Sequence, residues 1–146
     1  MTSRSREILF AIALLSACGL VVSSISLYHH YGTAASSYCD FGDKFNCDIV
    51  NRSTYSVVSK VPVALVGILG YLTLLGLATF YRTKAETPVV LLITSLPGLS
   101  FALYLTYIEA YVLATWCILC LSSLTIISVI ALLSTVLVVQ SVRRGR

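Results

Sequence analysis

Four of the five cysteines in this sequence fall into two pairs: Cys39 and Cys47 with seven residues between them, and Cys117 and Cys120 as a C-x-x-C beside Trp116. A thiolate attacks a neighbouring disulfide, so two such pairs brought together can relay electrons from one to the other. On a helix, positions i and i+3 share a face, and Cys117 and Cys120 can reach the Cα separation a disulfide needs. The unsatisfied N–H groups and the dipole at a helix start favour a thiolate, most strongly at Cys117. Cys120, one turn deeper, then points toward the bundle interior and the bilayer, where an apolar oxidant such as a quinone can reach it. Plainer readings stand beside these. Free cysteine packs like a small apolar residue, and a loop pair alone is more often a structural disulfide. Zinc would also take four cysteines, but the loop spacing is loose for it and half the ligands would lie at a membrane-embedded helix start. No metal is therefore expected. Cys18 reads as a packing residue.

The elements that must position these thiols follow from hydropathy. Of 146 residues, 58% are hydrophobic and 11% charged, far from the ~25% charged of a soluble domain. A span needs about 20 uncharged residues to cross the hydrocarbon. Such stretches run over about residues 8–28, 61–81, 88–108 and 116–140. The first exceeds a signal-peptide core and lacks a convincing cleavage site, so it is expected to be a retained anchor. No charge lies between Glu109 and Arg143, too long a run for one span, so an uncharged turn near residues 111–115 must divide the third helix from the fourth. Pro62 sits near a helix start where a missing N–H is harmless. Pro97 and Gly98 are expected to bend the third span as a tolerated kink. Gly67, Gly70 and Gly76 suit close helix approach. The expected fold is an all-α membrane protein, a four-helix bundle in one domain.

Basic residues set its orientation. Arg4 and Arg6, Arg82 and Lys84, and Arg143, Arg144 and Arg146 all fall at one end of a four-span bundle. Both termini are therefore expected in the cytoplasm. The first loop, with Lys44, Arg52 and Lys60 opposed by Asp40, Asp43 and Asp48, faces outward. All four paired cysteines then share the extracytoplasmic side, where disulfides persist. The net charge of +4 is mostly this topology signal, so nucleic acid is not an expected partner. Glu109 is the one candidate for an intramembrane charge of a transporter; at a span end it reads as interfacial or snorkelling. His29 and His30, as neighbours, point in different directions and read as interfacial loop residues.

Taken jointly, the two cysteine pairs, Ser53 six residues after Cys47, the stretch from Tyr55 to Tyr71 with Val61-Pro62 and Gly67, and Cys117-Ile118-Leu119-Cys120 opening the last helix resemble the vitamin K epoxide reductase family, particularly its compact bacterial members. The resemblance covers nearly the whole chain. It implies a quinone-dependent thiol-disulfide oxidoreductase of the bacterial inner membrane that supports disulfide formation. Cys39 is similar to the loop cysteine that exchanges with a thioredoxin-fold partner, and Cys47 to the shuttle that passes electrons onward. Cys117 is similar to the helix cysteine attacked by that shuttle, and Cys120 to the one facing the quinone. Ser53 matches a polar position where the loop closes over the cofactor; it also suits the N-cap of a short segment through Val57 and Val58. Animal members carry a Tyr where this chain has Leu124. Ubiquinone or menaquinone is therefore expected rather than vitamin K epoxide, whose reduction stays as the alternative. No fused thioredoxin-like domain is seen, so the partner is expected to be a separate periplasmic protein.

Overall fold

The computed structural model describes residues 3–32 and 39–145. Among these residues, four helices are long and apolar enough to cross a membrane: α1 (Ser3–Tyr31), α3 (Val63–Phe80), α4 (Thr87–Ile108, continued by a π turn to Leu113) and α5 (Ile118–Gly145). Helices suit this environment because every backbone group in hydrocarbon needs a partner within the segment. Between α1 and α3, two small hairpins flank a five-residue helix, α2 (Cys47–Asn51). Strands β1 (Asp40–Phe41) and β2 (Phe45–Asn46) form the first hairpin, β3 (Val57–Val58) and β4 (Val61–Pro62) the second.

Helix α1 packs against α3 and α5, and α4 packs against α5, while α3 and α4 touch less. The buried face of α1 is small: Ser16, Gly19, Ser23 and Ser26 recur at helical spacing. Close approach is needed at two of the glycines. A Cβ at Gly19 would run into the Tyr71 ring, and one at Gly67 would lie 2.8 Å from Ser23 Oγ. Tyr71 fills the Gly19 notch and its hydroxyl reaches Ser123, 2.8 Å from Oγ and 3.1 Å from the carbonyl it donates to. One ring thereby ties α1, α3 and α5 together. Ile12, Leu74, Leu91 and Ile130 complete the core.

Several sequence expectations change. Gly70 and Gly76 have no atom near a built Cβ, so close approach is not their role. Cys18 is exposed on the outer face of α1 rather than packed within the bundle, because the small-residue face of the helix points the other way. The first helix extends to Tyr31 and keeps both histidines helical. Val57 and Val58 form a strand, not a helical segment; Ser59 and Lys60, at φ 50° and 70°, make the tight turn that returns it. Ser53 precedes a short 3-10 turn (Thr54–Ser56) without a side-chain cap, and its hydroxyl donates to the Val50 carbonyl at 2.8 Å. Helix α4 runs on through Pro97.

The contrast between two glycines gives a stability test. Gly19→Ala should destabilise the detergent-solubilised protein by about 1–3 kcal/mol, the usual range for overpacking, because the Tyr71 ring must leave its notch and its bonds to Ser123. Gly76→Ala should be neutral or stabilising by up to about 1 kcal/mol, the helix preference of alanine over glycine. Thermal unfolding followed by circular dichroism decides it; equal melting temperatures for the two variants would contradict the notch.

Candidate functional site

The first hairpin brings the loop cysteines together. Gly42, at φ +69°, lets the chain reverse between β1 and β2. The antiparallel register pairs Asp40 with Asn46, which makes Cys39 and Cys47 the next cross-strand pair. They form a disulfide with Cα atoms 5.7 Å apart, within the usual range. Asn46 then caps α2, its side chain accepting from Ile49 N at 3.1 Å.

The second pair is placed by the break between α4 and α5. The π turn Glu109–Leu113 ends at Ala114 in the left-handed conformation, and the chain runs extended through Trp116 before α5 begins. Trp116 is therefore not the first helical residue. Its backbone N–H donates to Lys44 O at 2.8 Å, and its carbonyl accepts from Asn46 N at 3.1 Å, forming a parallel bridge with Phe45. That bridge docks the hairpin onto the start of α5. It sets Cys117 Sγ 3.3 Å from Cys47 Sγ. Cys39, Cys47 and Cys117 are all at most 1% exposed. Three sulfurs thus stand together, two joined and the third in contact, within the 3–3.5 Å or so of a near-attack arrangement.

A polar network surrounds Cys117. Ser26 of α1 donates to Asn51 Oδ1 at 2.6 Å, and Asn51 Nδ2 points at Cys117 Sγ from 4.0 Å. His30 Nδ1 contacts the Asn51 carbonyl, and His29 lies 3.4 Å from Asp48. Both histidines therefore hold the loop to α1 rather than lying free at an interface. The Cys117 thiol is held below the ordinary thiol range. Its hydrogen bond with the Cys120 side chain is the largest cause; the Cys120 and Leu119 backbone N–H groups add to it, and burial and the negative charge of Glu109 oppose it.

Glu109 departs furthest from expectation. It is 1% exposed, not snorkelling. Oε2 accepts the Cys117 backbone N–H at 3.1 Å, the Cys120 thiol interacts with the same carboxylate, and Oε1 has no hydrogen-bond partner among the described residues. The extra residue of the π turn alters the rotation of the chain just where the carboxylate is needed inside. Asn51 was likewise not singled out from the sequence. The signal for Glu109 was present: it is the lone acidic residue of the last two spans, eight positions before Cys117.

Below these thiols lies a cavity of about 480 Å³ bounded by the four spanning helices, a volume usual for a small-molecule site. Cys120, Glu109, Asn51 and Ser53 contribute polar groups to its lining. Gly70, Tyr71, Pro97, Gly98 and Ile127 line it as well. Pro97 and Gly98 are thus cavity wall as well as a helix irregularity. The hydrogen-bonded Tyr71 and Ser123 side chains border it one residue from Leu124. The lining suits a quinone: apolar walls for a ring, and a buried carboxylate oxygen without a partner among the described residues.

No curated protein matches the chain. The family model described as vitamin K epoxide reductase family matches residues 10–135, a stretch that takes in both cysteine pairs, Glu109 and the cavity. Members of that family use quinone-type substrates or cofactors. With four helices long and apolar enough to span a bilayer and nearly all its length within the match, the chain is an integral membrane oxidoreductase and belongs to the vitamin K epoxide reductase family.

Proposed function

We propose that the protein oxidises the dithiol of a separate periplasmic thioredoxin-fold protein and passes the electrons through Cys39 and Cys47, then Cys117 and Cys120, to ubiquinone or menaquinone in the membrane, supporting disulfide formation. One observation carries this reading: Cys117 contacts the sulfur of Cys47 while Cys120, on the same helix start, lines the apolar cavity. Residues 1–146 act as a single domain in this reading, with both termini in the cytoplasm of a bacterial inner membrane. The basic ends of the bundle support that orientation.

The steps balance as follows. The partner's two thiols reduce the Cys39–Cys47 disulfide, and the partner leaves oxidised. The Cys47 thiolate attacks Cys117 of a Cys117–Cys120 disulfide, so that a Cys47–Cys117 bond forms and Cys120 departs, taking up the proton that Cys47 gave up and resting as a thiol. Cys39 then attacks Cys47, re-forming the loop disulfide and releasing Cys117. The arrangement of one loop disulfide beside two thiols at α5 corresponds to this point in the cycle. Cys39 is buried there, so exchange with a protein requires the hairpin to lift from Trp116. A bound quinone takes up two electrons and two protons as the Cys117–Cys120 disulfide closes. In this reading Ser53, Asn51 and the Tyr71 hydroxyl, which line the cavity, hold and orient it. The Ser26–Asn51 pair steadies the Cys117 sulfur between its two partners.

Two outcomes test the relay. In Cys120→Ser the only bond left for Cys117 is to Cys47, so a Cys47–Cys117 disulfide should accumulate under turnover with Cys39 free; mass spectrometry that finds only Cys39–Cys47 with Cys117 free would reverse the order. The two ends of the path should also separate. Cys39→Ser should bring oxidation of a protein dithiol to background while leaving quinone reduction by a small, membrane-accessible dithiol within about twofold, and Cys120→Ser should abolish both. Equal loss of the two activities in a folded Cys39→Ser protein would make the loop pair part of the quinone site instead.

A further inference from the structure

The buried carboxylate of Glu109 has no ordinary structural reason to be where it is. A carboxylate out of water is unfavourable unless paired and fully hydrogen-bonded, and among the described residues no Lys or Arg lines the cavity whose wall it joins. It is at once within hydrogen-bond distance of the Cys117 backbone N–H, in interaction with the Cys120 thiol, and part of the cavity wall, with Oε1 buried and without a hydrogen-bond partner among the described residues. A group that only anchored the start of α5 would need an acceptor for one N–H, which any amide or carbonyl supplies.

We propose that Glu109 is the proton carrier of the outgoing step: its carboxylate takes the proton of the Cys120 thiol as the Cys117–Cys120 disulfide closes, and releases it toward the cavity that both residues line. This rests on the relay proposed above. In the step, the Cys120 S–H bond breaks, an S–S bond forms between Cys120 and the Cys117 thiolate, and two electrons leave for the quinone. One of the two protons the quinone needs travels through Glu109, which passes from carboxylate to carboxylic acid and back. The other is drawn from water, which received the proton of Cys39 when that thiol attacked Cys47 and released Cys117 as a thiolate; the Cys120 hydrogen bond that holds the Cys117 thiol low supports that state. The other titratable groups facing Glu109 across the cavity are Tyr71 from α3, His30 from α1 and Tyr55 from the loop. Among the described residues, the titratable groups that interact with its carboxylate are instead the two helix thiols, Cys117 and Cys120. General acid–base assistance of this kind is worth about 10²–10⁴ in rate.

Glu109→Gln separates proton carriage from anchoring, because glutamine keeps a carbonyl acceptor for the Cys117 N–H but cannot take a proton. Reduction of quinone by the small dithiol should fall about a hundredfold, while formation of the Cys47–Cys117 disulfide in the Glu109→Gln, Cys120→Ser double variant should match that in Cys120→Ser alone, a check that the site is folded. Quinone reduction at the wild-type rate in Glu109→Gln would reduce Glu109 to a positioning residue and overturn the proposal. The second readout needs no quinone. Infrared difference spectra of quinone-free protein, with the helix pair reduced and then oxidised, should contain a carboxylic-acid C=O band that gains intensity on oxidation, shifts in heavy water and is absent in Glu109→Gln. No such band in the wild type would overturn the proposal as well. If the wild type fails to reduce quinone at all, the relay reading is what fails, and the infrared band still decides whether Glu109 takes the Cys120 proton.

Discussion

Two backbone hydrogen bonds hold the site together: Trp116 N–H to Lys44 O, and Asn46 N–H to Trp116 O. They join a loop hairpin to the start of a helix some 70 residues further along the chain, and the Cys47–Cys117 contact follows from them. The bonds exist only because the chain is not helical at Trp116. Had α5 begun a turn earlier, the Trp116 N–H would still have been free, but its carbonyl would have been committed to the helix and the chain direction would have turned away from β2. The left-handed residue at Ala114 and the extended stretch after it are therefore what the site requires of this connection. The same break leaves the Cys117 N–H unclaimed by any helix, and Glu109 accepts it.

Around that clasp the membrane imposes its own rule. Lipid gives no hydrophobic drive for helices to associate, so α1 meets α3 through small residues and hydrogen bonds. Ser16 satisfies its own hydroxyl on the Ile12 carbonyl, while Gly19 and Gly67 admit the Tyr71 ring and the Ser23 hydroxyl. The bundle closes tightly along α1 and loosely between α3 and α4. The looser side is where Gly70, Pro97 and Gly98 line the cavity. Gly70 and Gly98 have no side chain to fill the gap, and Pro97 has a short one. Packing strength and cavity thus come from the same distribution of small residues, used for contact on one side of α3 and for space on the other.

How much of this was legible in the sequence depended on the kind of signal. The four spans stand out because hydropathy is local and sums over twenty residues, and they needed only shifts of a few residues at their ends. Both cysteine pairs were visible from spacing alone. What spacing could not give was which cysteines meet, since that depends on the hairpin register and the Trp116 bridge, both non-local. Glu109 was misread for a sharper reason. A carboxylate near a span end ordinarily reaches for the interface, and a regular helix gives no ground for turning it inward. The π turn does, and nothing in Glu-Ala-Tyr-Val-Leu announces one. Asn51 and Ser53 show the same limit at smaller scale, where a short polar residue in a loop has many plausible roles until its neighbours are known. Cys18 shows the reverse error, since apolar character alone does not say whether a helix face meets protein or lipid.

The placement of the four sulfurs also constrains how charge can move in the proposed relay. Cys117 lies between the spans and Cys120 within one, so the two thiols of one C-x-x-C meet different dielectrics. A thiolate at Cys117 has the Cys120 thiol, two backbone N–H groups and the Asn51 amide to stabilise it. A thiolate at Cys120 faces the cavity and the carboxylate of Glu109, where negative charge is poorly tolerated. Electrons can therefore arrive at Cys117 as a stable anion, but they can leave from Cys120 only if its proton departs as they do. A relay that ends in an apolar cavity needs an acceptor for that proton inside the protein, and the Glu109 carboxylate, in the cavity wall, interacts with the sulfur that must lose it.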